Sequence, residues 1–129
     1  QRTDLPTLRS PDGDLGVTSG DLLGYLRDDP GLAMVAYSPL LTGSYVREDR
    51  PLGPEFDHAG TPARLAALKT VTRETGATAN QVVLAWLMGG EVPVIPLVGA
   101  SSVAQLNESL AAADLDLTPE QRATLDAAR

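Results

Sequence analysis

The sequence predicts an α/β fold with a parallel sheet, of which these 129 residues supply only a part. Two short apolar segments, residues 32–37 and 92–98, lack polar alternation, which is typical of strands covered on both faces. Segments with helical spacing follow each strand, and this alternation favours parallel pairing. Because two strands cannot satisfy their outer backbone groups by themselves, we expect residues 1–129 to form no complete independent domain.

The first predicted helix follows an amino-terminal segment that is rich in prolines and glycines. Residues 6–17 show little periodicity and are predicted as loop. Thr18 or Ser19 caps a helix that runs to about Arg27 and carries leucines on one face. The strand at residues 32–37 comes next and ends two residues before a proline, which has no amide proton for a ladder.

A long loop is predicted over residues 40–60, where prolines and glycines mix with charged side chains. Its histidine, His58, is expected to be solvated rather than catalytic. Arg47 and Arg50 are most simply solvated charges of the same loop. We therefore expect no catalytic residue in this segment.

Capping signals mark the next two helices. Thr61 offers a hydroxyl cap, Pro62 suits the first helical turn, and Gly76 ends this helix. Thr78 and Gln81 then have the spacing of a capping box, which begins a helix that ends before a Gly-Gly pair. The apolar face of the first of these helices carries Leu65, Leu68 and Val71.

The second predicted strand, residues 92–98, is followed by an amphipathic helix over residues 101–113. Prolines in the strand remove ladder donors and limit it to a few residues. Thr118 and Gln121 repeat the capping-box spacing and begin a last helix. The apolar face predicted for residues 101–113 carries Val103, Leu106, Leu110 and Ala113.

Composition and charge exclude several classes of protein. No apolar run approaches the ~20 residues that a membrane-spanning helix requires, and the first residues lack the apolar stretch of a secretory signal. A net charge of −7 argues against nucleic acid as a partner, because the chain repels polyanions. The absence of cysteine leaves no thiolate metal ligand and is compatible with a reducing compartment. We expect a cytoplasmic protein with no metal, membrane or nucleic-acid partner.

Polar residues follow both predicted strands, at the position where parallel α/β folds bind ligands. A Tyr-Ser-Pro-Leu segment begins at Tyr37, and a Gly-Ala-Ser-Ser segment begins at Gly99. The amides from Ser101 onward begin a helix and are a ready site for an anion such as phosphate. Gln105 and Glu108 stand one and nearly two turns further, on the rim of such a site. From these residues alone, a serine-capped helix without a ligand remains an open alternative, as does a tyrosine that merely ends the strand.

Three ordered segments resemble the carboxyl-terminal part of the aldo-keto reductase family. The family's seventh-strand segment resembles VAYSPLLTGSY, its eighth-strand segment resembles VIPLVGASSVAQLNES, and the helix between them resembles ATANQVVLAWLMGG. Gln1 and Arg9 also have the spacing of the family's segment at the end of the sixth strand. The resemblance implies that residues 1–129 are the carboxyl-terminal part of a (β/α)8 TIM barrel.

The resemblance implies NADP(H) as the cofactor, extended across the carboxyl ends of the strands. Tyr37 would stack on the nicotinamide ring, and Gln1 would hydrogen-bond its carboxamide. The pyrophosphate would lie along Ser38, Pro39, Leu40 and Leu41, with Thr42 and Ser44 in the strap over it. The adenosine and its 2'-phosphate would be surrounded by Gly99, Ser101, Gln105, Glu108 and Ser109.

Three positions depart from the family pattern. Ser109 replaces the usual asparagine and shortens an adenine contact, and Gln105 brings no cation to the 2'-phosphate. Asp4 stands where an aromatic residue is usual. Arg47 or Arg50 in the long loop is our hypothesis for the missing positive charge.

The family's catalytic tyrosine, lysine, aspartate and histidine all belong to strands earlier than those in this chain. The resemblance therefore implies an oxidoreductase that reduces aldehydes or ketones, in which this chain supplies mainly the cofactor-binding part and is inactive alone. The implied partners are the amino-terminal part of the barrel and a small carbonyl substrate. The alternative is a non-catalytic, nucleotide-responsive binding or regulatory subunit on the same fold.

Overall fold

The computed structural model describes residues 20–53, 56, 59–92 and 94–128. Two strands, β1 (Met34–Tyr37) and β2 (Val94–Leu97), pair in parallel, as the sequence predicts. Their register places Tyr37 opposite Leu97. The α-helices of the described ranges are α1 (Gly20–Asp28), α2 (Thr61–Thr75), α3 (Ala79–Met88), α4 (Val103–Ala111) and α5 (Pro119–Asp126). The predicted loop at residues 6–17 and the cap at Thr18 or Ser19 lie outside the described residues.

The capping signals in the sequence are confirmed at three helix ends. At the start of α3, the Thr78 N–H donates to Gln81 Oε1 at 2.9 Å, and the Gln81 N–H donates to Thr78 Oγ1 at 3.2 Å. Thr118 and Gln121 make the same reciprocal pair before α5, at 3.0 and 3.3 Å. Gly76 ends α2 with a φ of 70°, a left-handed conformation that favours glycine.

The start of α2 differs from the prediction. Its N-cap is Gly60, and no side chain caps this end. The Thr61 hydroxyl donates to the carbonyl oxygen of Phe56, so it joins the preceding loop to the helix instead of capping it. Pro62 lies in the first turn as predicted, where its missing amide proton costs no helical hydrogen bond.

One face of the strand pair is exposed, whereas the sequence predicts strands covered on both faces. Val35 and Ile95 are each 57% exposed, while Val94 on the other face is buried. Helix α3 packs against β2 on the covered side, and none of the described elements buries the opposite side. The prediction of two covered faces is therefore wrong for the described residues, which provide only one of the two covering layers.

The predicted apolar face of α4 is also exposed, for the same reason. Val103, Leu106 and Leu110 have the predicted helical spacing, yet within the described ranges no element covers them. The buried contact at this end comes instead from Ala112, in the 3-10 turn that follows α4. An amphipathic helix indicates that a partner layer is needed without indicating which segment supplies it.

The core lies where α2, α3 and the segment before α5 meet. Its buried cluster consists of Leu68, Val71, Val82, Ala85 and Leu117. Trp86 packs against this cluster, and its Nε1 donates to a carboxylate oxygen of Asp126 at 2.7 Å. No helix in the described part of the chain has the length and apolar character needed to cross a bilayer.

Arg122 on α5 caps the carboxyl end of α3 by hydrogen bonds to its carbonyl oxygens. Its Nη1 donates to the Trp86 carbonyl oxygen at 3.1 Å, and its Nη2 donates to the Ala85 carbonyl oxygen at 3.0 Å. A guanidinium here interacts favourably with the carbonyls at the negative end of the helix dipole. Gly89 leaves the necessary space, because a Cβ at this position would clash with Arg122 Nη2.

Replacing Arg122 with methionine is expected to lower the free energy of unfolding by about 1–3 kcal/mol, because two charge-assisted hydrogen bonds are lost. Denaturant titration followed by circular dichroism measures the loss. Arg73→Met, on an exposed position of α2, is the matched control and should change stability by less than about 0.5 kcal/mol. Gly89→Ala should cost less in the Arg122→Met background than in the wild type; equal costs would contradict the contact.

Candidate functional site

A cleft of about 670 Å³ opens at the carboxyl ends of β1 and β2. It is lined by the loop after β1, the loop after β2, one face of α4 and the start of α3. Because parallel α/β folds bind ligands at this edge of the sheet, the cleft is the candidate site.

Most of the predicted site residues meet in this cleft. Those that line it are Tyr37, Ser38, Pro39, Leu40, Thr42, Gly99, Ser101, Gln105, Glu108 and Ser109. Leu41 and Ser44 belong to the same loop but do not line the cleft; the Ser44 hydroxyl instead donates to the Leu41 carbonyl oxygen at 2.8 Å. Gln1 lies outside the described residues.

The turn after β1 has an unusual backbone. Ser38, Leu41 and Thr42 have φ values of 51°, 47° and 55°, a left-handed region that residues other than glycine seldom adopt. The Leu41 N–H donates to the Ser38 carbonyl oxygen at 3.1 Å and holds the turn. Tyr37, just before it, is 83% exposed, so its ring is accessible at the mouth of the cleft. Strained residues of this kind cluster at binding and catalytic sites, where the surrounding structure holds them in place.

The loop after β2 directs two donors at one oxygen atom. The Ser101 N–H donates to Gln105 Oε1 at 2.8 Å, and the Ser101 hydroxyl donates to the same oxygen at 2.9 Å. Ser102, one residue later than predicted, is the N-cap of α4 and accepts from the Gln105 N–H at 3.2 Å. The Gln105 amide oxygen thus stands where an anionic oxygen would receive the same two hydrogen bonds.

Arg47 and Arg50 add positive charge to the cleft wall. Arg47 makes a two-bond ion pair with Asp49, with Nε–Oδ1 and Nη2–Oδ2 distances of 3.0 and 2.5 Å. The hydrogen bond from Arg47 lowers the pKa of the Asp49 carboxyl below its usual value. Arg50 Nη1 donates to the Thr42 carbonyl oxygen at 3.4 Å and links these two positions of the loop.

Glu108 is held in the cleft by the start of α3. The Thr78 hydroxyl donates to Glu108 Oε1 at 2.7 Å, and Gln81 Nε2 donates to the Glu108 carbonyl oxygen at 3.2 Å. The same Thr78 oxygen accepts the capping bond from the Gln81 N–H. One threonine therefore both begins α3 and positions a carboxylate of the site.

Asn80 is a cleft residue that no sequence motif marks. It is only 9% exposed, and its Oδ1 has no hydrogen-bond partner among the described residues. The signal available in the sequence is spacing, since Asn80 precedes the buried Leu84 by one helical turn and shares its face. A polar residue on a buried helix face is informative, because an unpaired amide oxygen is costly in the interior.

The two groups of polar residues in the cleft differ in hydrogen-bonding character. Ser101 and the two arginines offer donors and positive charge. Glu108 and Asn80 Oδ1 offer acceptors. A ligand with phosphate at one place and an amino group at another complements both groups, and a nucleotide has this composition.

The sequence model of the Aldo/keto reductase family matches residues 17–129. The chain therefore belongs to this family. Members of this family fold as a TIM barrel, and the described strands and helices form part of one. The fold class expected from the resemblance is therefore confirmed. The family and the named relatives are oxidoreductases.

Two curated relatives and one solved structure illustrate the similarity. An uncharacterised oxidoreductase of Mycobacterium tuberculosis is 40% identical over an alignment 110 residues long, which covers 74% of this chain and 33% of that protein. Pyridoxine 4-dehydrogenase of Escherichia coli is 42% identical over 74 residues, or 57% of this chain and 26% of that protein. The crystal structure of the thermostable aldo-keto reductase Tm1743, in complex with the inhibitor epalrestat, is 28% identical with a TM-score of 0.62 and covers 84% of this chain. The chain spans about a third or less of each relative's length.

Proposed function

We propose that this chain is the cofactor-binding part of an NADP(H)-dependent oxidoreductase that reduces aldehydes or ketones to alcohols. In this proposal, residues 1–129 form one barrel domain together with an amino-terminal part. The intact protein is the natural polypeptide that contains both parts. We also propose a cytoplasmic location, which the cysteine-free sequence supports.

The observation that carries the proposal is the convergence of the Ser101 N–H and hydroxyl on one oxygen. A phosphate oxygen in place of the Gln105 amide oxygen would accept the same two hydrogen bonds, now with the added strength of a negative charge. Arg47 and Arg50 line the same cleft and supply positive charge that Gln105 lacks. We propose that these arginines favour NADP over NAD by attracting its 2'-phosphate.

The other cleft residues fit the remaining parts of a dinucleotide. The exposed ring of Tyr37 offers a flat surface on which the nicotinamide ring can stack. The turn at residues 38–42 is proposed to lie along the pyrophosphate, with Ser44 supporting it through Leu41. The proposed adenosine contacts are Gly99, Gln105, Glu108 and Ser109. Gln1 keeps its proposed contact with the nicotinamide carboxamide.

We propose that the proton donor and its partners belong to the amino-terminal part. Hydride transfer from the cofactor to a carbonyl requires a nearby acid that supplies a proton. Tyr45 does not meet this need, because it packs against the core cluster and its burial raises its pKa. Lys69 is exposed on α2 and does not line the cleft. The chain's own contribution is therefore to bind and orient the dinucleotide.

The intact protein should oxidise NADPH when a small aldehyde or ketone is added, as followed by the loss of NADPH absorbance. Pyridoxal is a suitable first substrate, since one relative is named pyridoxine 4-dehydrogenase. Residues 1–129 alone should show no turnover and weak NADPH binding, because the acid and the covering layer of the sheet are missing. Aldehyde-dependent turnover by residues 1–129 would refute this division of roles. An intact protein that binds NADPH and reduces no carbonyl would support the regulatory alternative.

Replacing Asp49 with asparagine is expected to tighten NADPH binding to the intact protein by about two- to five-fold, because Arg47 loses its carboxylate partner. NADH, which lacks the 2'-phosphate, should gain less. Glu48→Gln removes the same charge from the neighbouring exposed position and is the matched control. Isothermal titration calorimetry measures the six dissociation constants, for wild type and the two variants with each nucleotide. An unchanged Kd for NADPH in Asp49→Asn would remove Arg47 from the proposed phosphate site.

A further inference from the structure

Asn80 presents an unsatisfied acceptor in the wall of the cleft. Its side chain is 9% exposed, and its Oδ1 has no hydrogen-bond partner within the described residues. Leaving an amide oxygen buried and unpaired is unfavourable, so a donor outside the described residues is expected to pair with it. Because Asn80 lines the candidate site, a bound ligand is the natural source of that partner.

The missing partner is a hydrogen-bond donor, since an amide oxygen only accepts. Glu108 also lines the cleft, and its carboxylate disfavours a phosphate in the same place. The inference rests on the proposed function, in which the ligand is a nicotinamide adenine dinucleotide. Its amino groups are the nicotinamide carboxamide, which we assign to the end near Tyr37, and the exocyclic amino group of adenine.

We propose that Asn80 recognises the adenine base, with Oδ1 accepting a hydrogen bond from the amino group and Nδ2 donating one to a ring nitrogen. An asparagine amide and the edge of adenine have complementary donors and acceptors, which is why this pair recurs in base recognition. Ser109 on α4 also lines the cleft, but it carries a hydroxyl where the family pattern has an asparagine amide. Asn80 supplies from α3 the amide that position 109 lacks.

Base selectivity is the consequence of this contact. Hypoxanthine carries a carbonyl oxygen where adenine has its amino group, so it would bring a second acceptor to Asn80 Oδ1. We expect the intact wild-type protein to bind NADPH about ten-fold more tightly than nicotinamide hypoxanthine dinucleotide phosphate, the scale of one unpaired buried polar group.

Asn80→Leu is the variant that tests the contact, because leucine has a similar size and no polar atom. Its Kd ratio for the two nucleotides should fall to about one, with most of the loss on the NADPH side. Its midpoint of thermal unfolding without nucleotide should not fall, since the variant removes an unpaired buried acceptor. Thr72→Val is the matched control: its hydroxyl is also buried and unpartnered in the described part of the chain, but Thr72 does not line the cleft. It should keep the wild-type ratio.

The outcomes separate this inference from the proposed function. Wild-type protein that binds neither nucleotide refutes the proposed function itself. Wild-type protein that binds both nucleotides equally, or Asn80→Leu that keeps the wild-type ratio, overturns the role of Asn80 and leaves the cofactor proposal standing. If Asn80→Leu does not fold, Asn80→Ser removes the amide with a smaller side chain, and an unchanged ratio in that variant also overturns the inference.

Discussion

Replacing Ser101 with aspartate is expected to weaken NADPH binding to the intact protein by about 1–3 kcal/mol, roughly five-fold to more than a hundred-fold in Kd. The Ser101 N–H and hydroxyl both donate to the same oxygen of Gln105. In the proposed complex a phosphate oxygen takes that place, so aspartate removes one donor and sets a negative charge beside the bound anion. Titration of the protein with NADPH, followed by fluorescence, measures the change.

Asn107→Asp is the matched control for this charge. Asn107 is exposed on the same helix and does not line the cleft, so its replacement should change the Kd by less than about two-fold. Ser101→Ala removes the hydroxyl and keeps the N–H, so its effect on the Kd for NADPH should lie between those of Ser101→Asp and Asn107→Asp. Equal effects of Ser101→Asp and Asn107→Asp would mean that charge acts only at long range, and the loop after β2 would lose its assignment as the phosphate site.

Leu68→Ala is expected to lower the free energy of unfolding by about 2–5 kcal/mol, the range for truncating a buried leucine. Leu68 is 8% exposed and belongs to the cluster formed by α2, α3 and Leu117. The loss combines the transfer free energy of the missing carbons with the cavity that they leave. Denaturant unfolding of the intact protein measures it.

Leu65→Ala provides the comparison within the same helix. Leu65 lies on the face predicted from the sequence, one turn before Leu68, but it is 39% exposed. Its truncation should cost less than about 2 kcal/mol, because less of the side chain leaves water on folding. Equal losses for the two variants would show that another part of the intact protein buries Leu65 as deeply as Leu68.

Helix ends were predictable because their signals act between close neighbours in the sequence. The Thr78–Gln81 pair and Gly76 are where the spacing predicts them. Thr61 shows the limit of this approach, since its hydroxyl has two possible uses. The choice between capping α2 and bonding to Phe56 depends on the path of the loop, which the local pattern does not record.

The faces of the strands and of α4 illustrate a second limit. Apolar side chains at positions such as Val35 and Leu110 predict that a face is to be covered. Periodicity says nothing about whether the covering segment is among the same residues. The count of strands, rather than the character of any one of them, indicated an incomplete sheet, and the family resemblance identified that sheet as part of a barrel.

The candidate site also has a part that the sequence predicts and a part that it does not. The loops that begin after Tyr37 and Leu97 were predictable as neighbours, because parallel pairing brings their strand ends to one edge. The family resemblance, and not the residues alone, is the source of the cofactor roles. The sequence analysis did not predict Asn80 as a site residue, because Asn80 reaches the cleft through the packing of α3 near α4, and no motif encodes that packing.

The shared use of the Thr78 hydroxyl restricts which amino acids position 78 can accept. Helix caps in general tolerate serine, threonine, aspartate and asparagine. At this position the cap must also donate a hydrogen bond to Glu108. An ionised aspartate has no donor and would place two carboxylates together. A library randomised at position 78 and selected for cofactor binding should therefore return residues that both accept and donate, which are serine, threonine and asparagine. It should reject aspartate, a residue that would serve the helix equally well.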